Sequence, residues 1–157
     1  MNIFVLDFNC TRCARYHTDR HVVKMILESA QLLSGAVRYS GIDCGYKLTH
    51  VQHPCAVWTR TSLNNWFWLR KLAGELNAEW QYRFNHVRNH KSYDVVLSLP
   101  EPNIQRIGLT PFALAMPVQH RSHGSVSSYR RYYAYEKQHL FKWTKRDVPW
   151  WLQDFLE

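Results

Sequence analysis

Acidic residues are nearly missing from one long stretch of this 157-residue chain: between positions 80 and 146 only Asp94, Glu101 and Glu136 oppose eleven Lys and Arg. The first 79 residues carry nine Lys and Arg against six acids, so the net charge of +8 concentrates in the second half. An excess of that kind points to a polyanionic partner, nucleic acid before a membrane surface. No apolar run approaches the eighteen or more residues of a membrane span, and the opening Ile3-Phe-Val-Leu6 meets Asp7 too soon to serve as a cleavable signal. The expected setting is the cytoplasm, with no membrane partner. A Gly-rich phosphate loop, a G-x-S-x-G elbow and an H-E-x-x-H pair are all missing, which argues against chemistry built on those devices. Without an internal repeat, a low-complexity tract or a long hydrophilic linker, the chain reads as one domain over residues 1–157.

What is present is apolar and aromatic residues, 46% and 15% of the chain. That supply suffices for one core burying roughly 70% of the unfolded surface. Residues 2–6 read as a short strand or a packed N-terminal arm. From 19 to 39, Val22, Ile26, Ala30, Leu33 and Val37 recur at helical spacing. Residues 56–84 read as a second long helix, with Leu63, Trp66, Phe67, Leu69, Ala73, Leu76 and Trp80 on its apolar stripe. Residues 85–109 read as mostly irregular. Thr110-Pro111 suggests a helix start that Pro117 ends within two turns. A third main helix is expected over 128–145, with Tyr129, Tyr133, Leu140 and Trp143 as packing partners. The fold class is therefore all-α: about three main helices, long irregular connections and a short N-terminal arm.

Four constellations could carry chemistry. Lys24, Glu28, Gln31 and Arg38 form a polar stripe on the first helix, either a solvated face or a carboxylate held ionised toward a cationic transition state. Cys10, Cys13, His17 and His21 form a C-x2-C-x3-H-x3-H array; the outer gaps suit zinc, while the short central gap favours small buried cysteines beside surface histidines. His50, His53 and Cys55 make a similar trio. In the absence of an export signal, all four cysteines are expected as thiols or metal ligands rather than disulfides. Finally, Tyr129-Arg-Arg-Tyr-Tyr-Ala-Tyr-Glu-Lys137, followed by Lys142, Trp143, Lys145 and Arg146, interleaves aromatics with cations. That combination suits opened or bent nucleic acid, or equally a helix with an aromatic core face and a wet cationic one.

Three of these segments together resemble the phage-type pyrimidine-dimer DNA glycosylase/abasic-site lyases of the endonuclease V type. The likeness rests on His21 and Glu28 with Gly35-Ala-Val-Arg38 in one helix, on Leu69-Arg-Lys71, Glu75-Leu76, Ala78-Glu79 and Arg83 in the next, and on Tyr129-Arg-Arg-Tyr-Tyr133. The resemblance implies an all-α enzyme on duplex DNA with no cofactor and no metal. Its nucleophile would be an α-amine, here that of Met1, and its cation-stabilising carboxylate Glu28. It further implies DNA contacts from Asn2, His21, Lys24, Gln31, Arg38, Arg130, Arg131 and Lys137. An α-amine has a reference pKa of about 7.7 to 8.0 against about 10.4 for lysine, so far more of it is uncharged near neutral pH. The chain departs from the family at Asn2 and Gln31, where arginines are expected, and in an N-terminal arm lengthened by the Cys10/Cys13 stretch. A monomeric glycosylase for damaged or modified pyrimidines is the leading expectation. A basic nucleic-acid-binding protein without chemistry, or a small zinc-stabilised module, are the alternatives.

Overall fold

The apolar stripe of residues 19–39 is buried to the last residue: Val22, Ile26, Ala30, Leu33 and Val37 are all fully enclosed. In the computed structural model, which describes residues 1–155, this stripe belongs to a helix, Asp19–Tyr39, the second of six. In chain order the α-helices are α1 Cys10–Tyr16, α2 Asp19–Tyr39, α3 Pro54–Thr61, α4 Leu63–Phe84, α5 Lys91–Ser98 and α6 Ser125–Glu136. No strand occurs among the described residues. The fold is all-α, and no described helix is long and apolar enough to cross a membrane. Helix α2 packs chiefly on α4; α1 lies on α4, and α3 and α5 flank α2.

Local chemistry explains where the elements begin and end. Thr18 caps α2 by accepting the His21 amide N–H, and Asn9 caps α1 through the Arg12 amide. The stretch expected as one helix over 56–84 is two, broken at Ser62. There the Leu63 amide donates to Gln105 O instead of continuing the helical ladder, while Ser62 Oγ caps α4. Residues 85–109 also contain a helix, α5, begun by His90 accepting from the Ser92 amide. The helix expected after Thr110-Pro111 does not form. Side chains hold that backbone extended instead: Asn65 Oδ1 accepts Thr110 N–H, Trp58 Nε1 donates to Thr110 O, and Tyr129 donates to Ala113 O. Helix α6 stops at Glu136, short of 145, and short 3₁₀ segments follow at Gln138–Leu140 and Trp150–Asp154.

The N-terminal arm is not a strand. Residues Ile3 to Leu6 run through the core with at most 5% exposure. Phe4 is the pivot: its ring stacks on His21 of α2 at 4.5 Å and meets Tyr129 and Tyr133 of α6 edge-on. At the same end of α2, Arg83 of α4 is fully buried yet well satisfied. It donates to Glu79 Oε1 at 3.0 Å, to His17 O at 2.7 Å, to Asp19 Oδ1 at 3.2 Å and to Arg15 O at 2.9 Å. Arg146 closes on the same Glu79 from the C-terminal segment. One guanidinium thus ties together the end of α1, the start of α2 and the end of α4.

The array Cys10, Cys13, His17, His21 does not converge on a metal, and no cluster of three or more potential ligands exists among the described residues. Each side chain is used elsewhere: Cys10 Sγ toward Trp68 O, Cys13 Sγ toward Phe4 O, His17 Nδ1 to Cys13 O, and His21 Nδ1 to Tyr133 Oη. Nor are the histidines on the surface; His17 is fully buried and His21 nearly so. Burial pushes the His17 imidazole down to about 4, opposed by its bond to the Cys13 carbonyl, and the His21 imidazole down to about 3. Both bind their proton less readily folded than unfolded, where the reference is about 6.5. Their contribution to stability is therefore complete above about pH 6.5 and is lost as pH falls toward 4, where the unfolded chain takes up the protons. His17 alone accounts for about 3 kcal/mol over that window. Thermal denaturation followed from pH 7 to pH 4.5 should show a steady fall in Tm, and a flat profile would contradict the buried, uncharged state of these rings.

Candidate active site

Positions 21, 24 and 28 lie on one helical face, since steps of seven and four residues nearly complete whole turns. Helix α2 therefore presents His21, Lys24 and Glu28 together, and the N-terminal arm arrives across that face. The Met1 amine sits 3.3 Å from Glu28 Oε1, and the Asn2 amide N–H donates to the same oxygen at 3.1 Å. The Met1 side chain is only 4% exposed, so the amine is anchored by burial on one side and by the carboxylate on the other. A cavity of about 250 Å³ opens at this point, lined by Met1, Asn2, Phe4, His21, Lys24, Met25, Glu28, Ala115, Tyr132 and Lys137.

Asn2 sets the geometry. Its Nδ2 donates to Ala115 O at 3.0 Å, and its Oδ1 accepts the Ile3 amide at 2.7 Å and lies 3.3 Å from the Tyr129 hydroxyl oxygen, whose proton goes to Ala113 O. Tyr129 Oη also accepts the Ala115 amide, locking the extended 110–116 segment against the arm. The amide of Asn2 is consumed in holding the terminus and is not free to grip a phosphate. Cys55 donates weakly toward the same Asn2 oxygen, and burial pushes its thiol up to about 11, so it is an inert neighbour. His53 caps α3 by accepting the Cys55 amide N–H. Partial burial, followed by the positive charge of the Met1 amine, holds its ring below the usual histidine range. The His50, His53, Cys55 trio is thus a helix start and not a metal site.

Of the residues singled out in the sequence, Met1, Asn2, His21, Lys24, Glu28 and Lys137 come together here. Lys137 reaches the cavity from beyond the end of α6, its Nζ 5.0 Å from the Tyr132 ring and 5.8 Å from Phe4. Gln31 does not line the cavity. Arg38 is elsewhere: ten residues past Glu28 it lies about 15 Å further along the axis and about 80° around the helix. Its guanidinium donates to Tyr46 O, Gly45 O and Asp43, closing the loop that follows α2. Arg130 is structural too. It donates to Leu6 O and Asp7 and sits over the rings of Tyr16, Trp150 and Trp151. Arg131 rests over Tyr135 with no hydrogen-bond partner among the described residues.

Phe4, Met25, Ala115 and Tyr132 complete the cavity; Tyr132 belongs to the aromatic-basic stretch, while Phe4, Met25 and Ala115 carry no site signal in the sequence, because an arm, a helix and an irregular segment meet only in the fold. A larger cavity of about 530 Å³ lies on the other side of that segment, Leu114 facing it while Ala115 faces the amine. Its lining is mostly apolar, with His123 its one titratable group among the described residues, so it offers no comparable chemistry. No family model, no curated protein and no solved structure matches the chain.

The two adjacent arginines should respond differently to removal. Arg130→Ala should cost about 2 kcal/mol in denaturant unfolding, because its hydrogen bonds and its packing over three rings disappear. Arg131→Ala should stay within about 0.5 kcal/mol. Equal, negligible effects would show Arg130 to be a free surface cation.

Proposed function

We propose that the chain is a DNA glycosylase acting on damaged or modified pyrimidines in duplex DNA, with the Met1 amine as nucleophile and Glu28 as the stabilising carboxylate. The observation that carries this reading is the 3.3 Å contact between that amine and a largely buried carboxylate, in a cavity flanked by Lys24 and Lys137. The resemblance to the pyrimidine-dimer glycosylase/lyases, drawn from His21, Glu28, the α4 segment and Tyr129–Tyr133, agrees with that chemistry and suggests its substrate.

In the proposed reaction the uncharged amine donates its lone pair to C1′ while the C1′–N1 bond breaks, and the bonding pair leaves with the pyrimidine. The new secondary ammonium gives one proton to the departed base by way of the Glu28 carboxylate. Its nitrogen then opens the sugar ring, O4′ takes a proton from solvent, and a protonated imine remains. Positive charge develops first on the sugar and then on the imine, and a carboxylate already in place stabilises both without reorganising. Lys24 and Lys137 suit the flanking phosphates. A protein that only bound DNA would use the cations and leave the amine–carboxylate pair without a role.

Borohydride trapping on abasic-site duplex DNA tests the reading directly, because only an amine that forms an imine is captured. Glu28→Gln should leave DNA affinity nearly unchanged while turnover falls by about two or more orders of magnitude. Acetylating the N-terminus should abolish trapping; if the capped protein still cross-links, a lysine such as Lys24 is the nucleophile and the assignment to Met1 fails.

Duplex affinity should also fall steeply with salt. Replacing Lys24 and Lys137 by Ala should flatten the dependence of log K on log salt by about 2, roughly one for each phosphate no longer neutralised. An unchanged slope would put the DNA footprint elsewhere.

A further inference from the structure

Tyr133 and His21 form a buried pair whose proton arrangement is legible from distances. Tyr133 Oη accepts the Thr18 amide N–H at 3.0 Å and has one proton of its own to place. Two acceptors are near: His21 Nδ1 at 2.7 Å and Thr18 Oγ1 at 3.4 Å. The first distance is that of a good hydrogen bond from a hydroxyl and the second is outside the range, so the proton belongs on the line to His21. The reverse arrangement, Nδ1–H donating to the phenol, would strand a buried hydroxyl proton on the 3.4 Å contact, at the cost of an unsatisfied buried polar group. With Nδ1 accepting, the proton of the uncharged ring sits on Nε2.

That nitrogen has no partner among the described residues, yet it is not among the fully enclosed unpartnered atoms, unlike His17 Nε2. His21 lines the amine cavity, and its ring cannot turn away, being stacked on Phe4 at 4.5 Å with 14° between planes. We propose that Tyr133 holds His21 as its Nε2–H tautomer, so that this N–H donates a hydrogen bond to the pyrimidine carbonyl oxygen that becomes negative as the base leaves. The inference rests on the glycosylase reading and assigns it a leaving-group contact. His21 keeps its proton throughout: the charge on the departing base is stabilised, not neutralised, and the proton balance of the reaction is unchanged. An uncharged imidazole polarising an oxygen is an established catalytic arrangement. The surroundings keep the ring in that state, because burial and then His17, Lys137, Lys24 and His139 oppose its protonation, with Glu28 the one acid lining the same cavity among the described residues. Burial likewise pushes the Tyr133 phenol above its ordinary value, so the hydroxyl retains the proton it donates.

The tautomer is read by long-range ¹H–¹⁵N NMR on histidine-labelled protein. The wild type should show His21 protonated at Nε2, and Tyr133→Phe should lose that preference while remaining folded; protonation at Nδ1 in the wild type overturns the proposal. Two reactions then separate its role: release of pyrimidine dimers from ultraviolet-irradiated duplex, and borohydride trapping on abasic-site duplex, where no base departs. Tyr133→Phe should slow release about tenfold and His21→Asn about a hundredfold, each loss in release exceeding the loss in trapping by about fivefold or more. His21→Gln, whose amide N–H reaches the Nε2 position, should recover part of the release that His21→Asn loses. Equal losses in both reactions, or no loss in either, overturn the proposal. So does a wild type that traps on abasic sites but releases no base. A wild type that is not trapped at all sinks the glycosylase reading itself, while the NMR result still decides the tautomer.

Discussion

The path of the first six residues is the constraint on which the rest of the structure depends. A buried chain segment outside any helix or sheet must find partners for its backbone groups or lose several kcal/mol. Here side chains supply them: Arg130 donates to Leu6 O, Cys13 to Phe4 O, and Asn2 bridges the arm to Ala115 and Tyr129. The result is a chain terminus delivered to one oxygen of Glu28 with both Met1 and Asn2 nitrogens in range. Helix α2 supplies the carboxylate, α6 and the segment after it supply the cover, and neither would form a site without the arm between them.

That placement is braced at the opposite end of α2 from the loop that Arg38 closes. Arg83 satisfies carbonyls from α1 and a carboxylate from α2 while its partner Glu79 also holds Arg146. Burial pushes the Glu79 carboxyl up, and the hydrogen bonds and charge of Arg146 and Arg83 more than reverse this, holding it below the usual carboxylate range. A fully buried guanidinium is costly to desolvate, and only a complete set of acceptors makes it tolerable. The set fixes the crossing of α1, α2 and α4, and with it the register of His17 and His21 against Phe4.

The basic, aromatic-rich second half serves two ends. Arg130 and Arg146 are spent on the fold, each lying over aromatic rings as well as on an acid. Lys137 and Lys24 remain beside the cavity, and Arg131 keeps its donors.

The all-α class, the limits of α2 and the face that carries His21, Lys24 and Glu28 were legible in the sequence, because helical periodicity is a local property and every residue of the Val22–Val37 stripe obeys it. The Leu63–Trp80 stripe was legible for the same reason, although the break at Ser62 was not, since it depends on Gln105 accepting the Leu63 amide from a distant part of the chain. Helices α1 and α5 were not legible, because each has fewer than three turns and begins on an asparagine or histidine cap outside any long apolar pattern. Which cations are structural and which face the cavity was decided by tertiary structure alone. Arg38 and Glu28 share a helix but not a face, and Arg130 and Lys137 share a segment but not a role. The meeting of Met1, Glu28 and Lys137 depends on a non-helical arm and a proline-bounded extended segment, whose conformations are set by distant side chains and leave no periodic trace.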